Sequence, residues 1–71
     1  MNLMICVNND GYRASLKTRT VYQCIEDEKA KRRGMVRVVD ESGEDYLYDA
    51  DMFLPIQLSL EIERQLFKHA T

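Results

Sequence analysis

Residues 34–56 read GMVRVVDESGEDYLYDADMFLPI, and the order of residue types in this stretch decides the fold. Val36 and Val38 flank Arg37, so a strand here turns the two valines to a core and Arg37 to water. Glu41, Ser42, Gly43 and Glu44 have the composition of a tight turn, and Asp45–Tyr48 is the returning strand. Asp49–Phe53 then reads as a single 3₁₀ turn and Leu54–Gln57 as a short last strand. A hairpin, a one-turn crossover and a final strand are the closing half of a small barrel.

Upstream, Leu3–Val7 is rich in β-forming residues and is followed by the turn signal Asn8, Asn9, Asp10, Gly11. Residues 8–19 form a polar loop with Tyr12, Ala14 and Leu16 as candidate anchors. Thr20–Ile25 is a second strand. Glu26–Gly34 (EDEKAKRRG) has two readings. Acids before bases, with Gly34 just past the end, suit a short helix, and a long hairpin loop competes; a loop or one helical turn is expected. Downstream, Ser59 has the character of an N-cap. Glu61 and Glu63 fall in the first turn, and Arg64, Lys68 and His69 in the last, matched to the helix dipole. Leu58, Ile62 and Leu66 recur every four residues with Phe67 beside them, giving one apolar face. Such a short helix is marginal alone in water, so the face must dock. Capping the barrel of its own chain is the expected arrangement, with a monomer as the result; packing against a second copy, as a homodimer, is the alternative.

At 71 residues the chain is one domain, with the barrel over about 2–57 and the helix over about 59–69. A domain this small buries only about 60% of its unfolded surface. Its 45% hydrophobic and 31% charged content belongs to a globular protein rather than a disordered one. No apolar run approaches the ~20 residues of a membrane helix, and MNLMICVNN lacks a signal peptide's basic region and cleavage site. A cytoplasmic protein is the simplest reading. Cys6 and Cys24 sit inside apolar runs, too few and too far apart for a zinc site, and are expected to be reduced and buried. A disulfide between neighbouring strands is the alternative in an oxidising compartment, for which the sequence offers no signal.

The net charge of −2 hides an asymmetry. Residues 1–37 carry eight basic and four acidic side chains, residues 38–71 two basic and eight acidic. Asp40, Glu41, Glu44, Asp45, Asp49 and Asp51 fall within twelve residues without a compensating cation. A hairpin with this field disfavours nucleic acid and favours cationic partners.

The order of elements resembles an SH3-like barrel, most closely over residues 35–56, where MVRVVDESGEDYLYDADMFLPI is similar to the distal hairpin and 3₁₀ corner of SH3 domains. It also resembles small, uncharacterised bacterial SH3-like proteins that pair a DESGEDYLY hairpin with a phenylalanine-containing corner and a C-terminal helix. The resemblance implies a mainly β, five-stranded SH3-like barrel with a C-terminal α-helix. It implies no activity. A peptide-binding SH3 domain has a tyrosine pair in its first strand region, a tryptophan after the second loop, and a proline and tyrosine at the corner. Here the first strand reads LMICVNN, the chain has no Trp, Asp49 stands near the place of the proline, and Met52 or Phe53 replaces the tyrosine. Polyproline recognition is therefore not expected.

Candidate sites follow from chemistry. The single His, His69, lies near the C-terminus with no nucleophile beside it, and Ser15, Ser42 and Ser59 have turn or capping roles, so no catalytic residue is assigned and a non-enzymatic protein is expected. The Asp40–Asp45 segment lacks the register of a calcium loop, so no metal site or cofactor is assigned. Tyr22 and one of Tyr46 and Tyr48 should enter the core. Tyr12 and the outward member of the 46/48 pair then form an aromatic patch rimmed by Asp49 and Asp51, suited to a basic or amphipathic peptide. The favoured function is thus protein–protein interaction through Tyr12, Tyr46, Tyr48, Asp49 and Asp51. The alternative is contact with nucleic acid through Lys29, Lys31, Arg32 and Arg33, assisted by Arg13, Lys17 and Arg19; no aromatic is interleaved with the 29–33 bases to stack on.

Overall fold

The hairpin closes through hydrogen bonds from the Asp40 N–H to the Glu44 carbonyl and from the Gly43 N–H to the Asp40 carbonyl, both 3.0 Å. Gly43 has φ +85°, the left-handed residue that a three-residue hairpin loop needs. The computed structural model describes residues 2–67. Its elements are β1 (Asn2–Cys6), β2 (Val21–Ile25), α1 (Glu28–Arg32), β3 (Met35–Val39), β4 (Asp45–Asp49), a 3₁₀ turn (Ala50–Met52), β5 (Phe53–Ile56) and α2 (Leu60–Phe67).

The five strands make one antiparallel sheet in the order β4-β3-β2-β1-β5. Successive strands pair from β1 to β4, and the chain then crosses back so that Phe53 lies opposite Cys6. Among the described residues no ladder joins β4 to β5. The sheet is therefore unclosed, with two edges, where the sequence predicts a barrel. The protein is mainly β with a helix after the last strand.

The ambiguous EDEKAKRRG segment resolves as α1. Asp27 caps it, its side chain accepting from the Ala30 N–H at 3.0 Å, and Ala30 is buried. Gly34, at φ +70°, ends the helix and offers its carbonyl to the Ala50 N–H at 2.9 Å. Arg37 does not simply face water. It is half-buried, with Nε 2.9 Å from Asp27 Oδ2 and Nη1 2.9 Å from Asp45 Oδ2. Two acids flank it on the outer face of the sheet, so it ties the α1 cap to β4.

One core holds the sheet together: Cys6, Leu16, Tyr22, Cys24, Val38, Tyr48, Met52 and Phe53, with Met4 and Val36 packed against them. Both cysteines are free and buried. Of the three loop anchors only Leu16 is buried; Ala14 is exposed, and Tyr12 is 44% exposed.

Ser59 caps α2, its hydroxyl accepting from the Ile62 N–H at 3.2 Å. The expected cap on the sheet is not made by the helical part of the Leu58–Ile62–Leu66 stripe: Ile62 and Leu66 are 50% and 55% exposed, and no residue of α2 is buried. Instead Glu63 lines a cleft with Leu3, Lys31, Pro55 and Leu58, while Phe67 is half-buried. The helix thus turns a flank of its apolar stripe, not its centre, toward the body. Lys68 and His69 lie outside the described residues. Among the described residues no helix is long and apolar enough to cross a membrane.

Candidate interaction surface at the β3–β4 hairpin

The base of the hairpin turn is a buried acid. Asp40 is 6% exposed. Its Oδ1 accepts from the Ser42 N–H at 2.9 Å and from the Ser42 hydroxyl at 2.5 Å, and its Oδ2 accepts from the Tyr48 hydroxyl at 2.6 Å. Burial alone would raise the Asp40 pKa; these three donors outweigh it and hold the carboxyl below the usual range. The same burial, with Asp40 as acceptor, pushes Tyr48 up to about 12.

The adjacent Glu41 fastens the first loop to the turn. Its N–H donates to the Ser15 carbonyl at 3.0 Å, and its Oε2 accepts from the Tyr22 hydroxyl at 2.5 Å. Tyr22 in turn accepts from the Lys17 N–H at 2.8 Å, and its pKa is raised by burial and by the bond to Glu41. Loop 8–19 is thereby held over β4, and the Tyr12 ring meets Tyr48 edge-on at 5.0 Å.

These contacts leave a hollow of about 370 Å³ lined by Tyr12, Ser15, Asp40, Ser42, Tyr46, Leu47 and Tyr48. The structure brings Tyr12, Tyr46 and Tyr48 together, but not by the expected division of the 46/48 pair. Residues two apart on a strand share a face. Tyr46 and Tyr48 stand opposite Val38 and Val36 on the core side and differ in depth: Tyr48 is 3% exposed, whereas Tyr46, near the turn, is 49% exposed and donates to Glu44 Oε2 at 2.8 Å.

Asp49 and Asp51 do not line the hollow. Asp49 is at the far end of β4 opposite Met35, Asp51 is in the 3₁₀ turn, and both are exposed. The acid in the hollow is Asp40, which the sequence offers as charge and as the start of a segment without calcium-loop register, but not as a residue of the patch. A signal for it exists: an Asp two residues before a Ser, at a hairpin turn, is the pattern of a side chain that bonds its own turn.

The basic residues separate into two groups. Lys29, Lys31, Arg32 and Arg33 are exposed on and just after α1, and among the described residues none forms an ion pair. Lys17 lies instead at the turn end of the hairpin, 3.8 Å from Glu41 Oε1. The length of β3, roughly 16 Å at strand rise, lies between that end and α1, so Lys17 does not extend the α1 cluster. Lys31 lines a cleft of about 250 Å³ with Met4, Cys24, Val36 and Arg37, and no aromatic ring lines it. Among the described residues no group of three or more His, Cys, Asp or Glu is placed to hold a metal ion. Comparison with protein-family models, curated proteins and solved structures found no match.

Proposed function

We propose that this chain is a small, non-enzymatic SH3-like binding module whose β3–β4 hairpin docks a protein partner. The order β4-β3-β2-β1-β5 and the 3₁₀ turn that returns the chain to β1 support the SH3-like reading. One observation carries the functional reading: the rings of Tyr12 and Tyr46, each close to half exposed, border one hollow whose floor is fixed by the Asp40–Tyr48 pair. Rigid aromatic surface that costs little entropy to order suits a protein interface. Of the six acids of residues 40–51, Asp40 is buried, Glu41 and Asp45 face Lys17 and Arg37, and Glu44, Asp49 and Asp51 have no ion pair among the described residues. The surplus negative charge favours a cationic partner. Asp49 and Asp51 act at longer range, as field rather than as contacts in the hollow.

The test is affinity purification of the tagged protein and its variants from its own cells, read by quantitative mass spectrometry. Proteins retained by wild type and lost with Tyr12→Ala and Tyr46→Ala support the hairpin. Retention unchanged by both variants removes it.

A second reading rests on the four exposed cations at α1, which offer phosphate contacts without a stacking platform. It requires binding of generic RNA that falls steeply between low and moderate salt and is lost with Lys29→Ala and Arg33→Ala. No binding at low salt removes it.

A further inference from the structure

The two edges of the sheet differ in chemistry. The Asp40–Glu44 and Gly34–Ala50 hydrogen bonds set the phase of the β3–β4 ladder. Bonded pairs alternate along an antiparallel ladder, so residues 46 and 48 bond to β3 while residues 45, 47 and 49 turn their backbone outward. The N–H groups of Asp45, Leu47 and Asp49 and the carbonyls of Asp45 and Leu47 line the free edge. Among the described residues no hydrogen bond engages them.

At the other edge, the bond from the Val7 N–H to the Met52 carbonyl puts Phe53 and Pro55 in the outward phase of β5. Proline has no N–H, and the Phe53 N–H is taken by the Ala50 carbonyl. The β5 edge therefore offers no donor to another strand. The β4 edge is the open one.

The hollow reaches this edge. Leu47 lines it together with Tyr46 and Tyr48, although strand alternation turns the Leu47 side chain to the opposite face. A chain lying along β4 would therefore pass beside Tyr12.

We infer that the free edge of β4 receives an extended cationic segment of a partner protein as a sixth, antiparallel strand. This rests on the hairpin being the interaction surface. Charge decides the occupant. On the outer face Leu47 is flanked by Asp49, which is exposed and without an ion pair among the described residues, and by Asp45, whose Oδ2 holds Arg37 at 2.9 Å while its side chain stays 45% exposed. The complementary strand therefore carries Lys or Arg opposite Asp49, a second cation shared with Arg37 at Asp45, and an apolar residue between, a basic-x-apolar-x-basic pattern. A second copy is disfavoured, because antiparallel self-pairing centred on Leu47 sets Asp45 against the partner copy's acid at 49 on both sides, and like charges directly opposite destabilise a ladder. Main-chain bonds supply affinity in this mode and the alternating side chains supply specificity.

The probe is the end-blocked peptide SKTVTKS, titrated into the isotopically labelled protein at low salt and followed by amide shifts and hydrogen exchange. Binding with slowed exchange of the Leu47 amide is expected. Methylating the backbone nitrogen of the peptide's valine, which keeps every charge, should weaken it at least about tenfold. Leu47→Pro removes the central outward N–H, leaves the β3 ladder intact, and should weaken it similarly. Equal binding of the methylated peptide by wild type overturns strand addition and leaves the interaction surface standing. Absence of binding to the folded protein also overturns it, and the Tyr12→Ala and Tyr46→Ala purification then decides separately whether the surface itself survives. Shifts confined to residues 29–33 on titration with an RNA oligonucleotide, without any peptide response, overturn it in favour of nucleic acid.

Discussion

The hydroxyl of Tyr48 donates to Asp40 Oδ2 at 2.6 Å, and both residues are buried. This pair joins the fourth residue of β4 to the residue that precedes the three-residue hairpin loop, and it forms the floor on which the Tyr12 ring rests.

Tyr48→Phe keeps the ring and removes the donor. The Asp40 carboxylate would keep Ser42 but lose its second partner while still buried. A hydrogen bond to a charged group contributes about 1.5–3 kcal/mol, and for a domain of this size that lowers Tm by on the order of 10 °C. Thermal and urea unfolding of the two proteins measure it. A change under about 0.5 kcal/mol, the scale of an ordinary surface substitution, would mean that the pair contributes little.

The pH dependence of stability follows from the same groups. Asp40 and Asp27 have pKa values depressed in the fold, so the unfolded chain binds more protons as acid is added. Their contribution is complete above the ordinary carboxylate pKa near ~4 and is lost as pH falls through the folded-state values. Cys6, Cys24, Tyr22 and Tyr48 have raised values, Cys24 to about 11 and Tyr48 to about 12. Their contribution is complete below the unfolded thiol pKa near ~8.5 and the unfolded phenol pKa near ~10, and is lost above them. The urea midpoint should therefore be flat from about pH 5 to about pH 8 and fall on both sides. In Tyr48→Phe the acid limb should be shallower; an acid limb unchanged by that substitution would remove Asp40 as its source.

Both thiols should be nearly inert in the folded protein. Burial raises both pKa values, leaving little thiolate at neutral pH, and both side chains belong to the core cluster. Labelling by an aromatic disulfide reagent at pH 8 should be slow, should rise to the rate of a model thiol in urea, and should track the unfolding transition. Rapid native-state labelling of either cysteine would contradict its place in the core.

The strands, the hairpin turn, the 3₁₀ turn and the Ser59 cap were legible because each is encoded locally. Alternation, a left-handed glycine and a hydroxyl cap act within a few residues. The open sheet was not, since whether β4 meets β5 depends on how strands far apart in sequence twist around one core. The site was half legible. Tyr12 and the undivided Tyr46/Tyr48 pair stand out in the sequence as aromatics, but their meeting depends on Glu41 holding Ser15 across 26 positions of chain, a contact with no local signature. Asp49 and Asp51 looked like part of the patch because nearness in sequence was read as nearness in space. Along a strand, about 3.3 Å per residue soon separates such neighbours.

Leu66→Asp tests the reading of α2. If the Leu58–Ile62–Leu66 stripe capped the sheet, this substitution would bury a charge and cost several kcal/mol. Leu66 is 55% exposed, and the side of α2 toward the cleft carries Glu63 instead. The monomer's unfolding midpoint should therefore move by no more than about 0.5 kcal/mol, as for an ordinary surface position. Sedimentation separates the remaining arrangements. A profile that depends on concentration in wild type and not in Leu66→Asp would place the stripe in a homodimer, and it would appear without a change in the dilute-limit stability. A large loss of stability at every concentration would instead return the helix to the sheet.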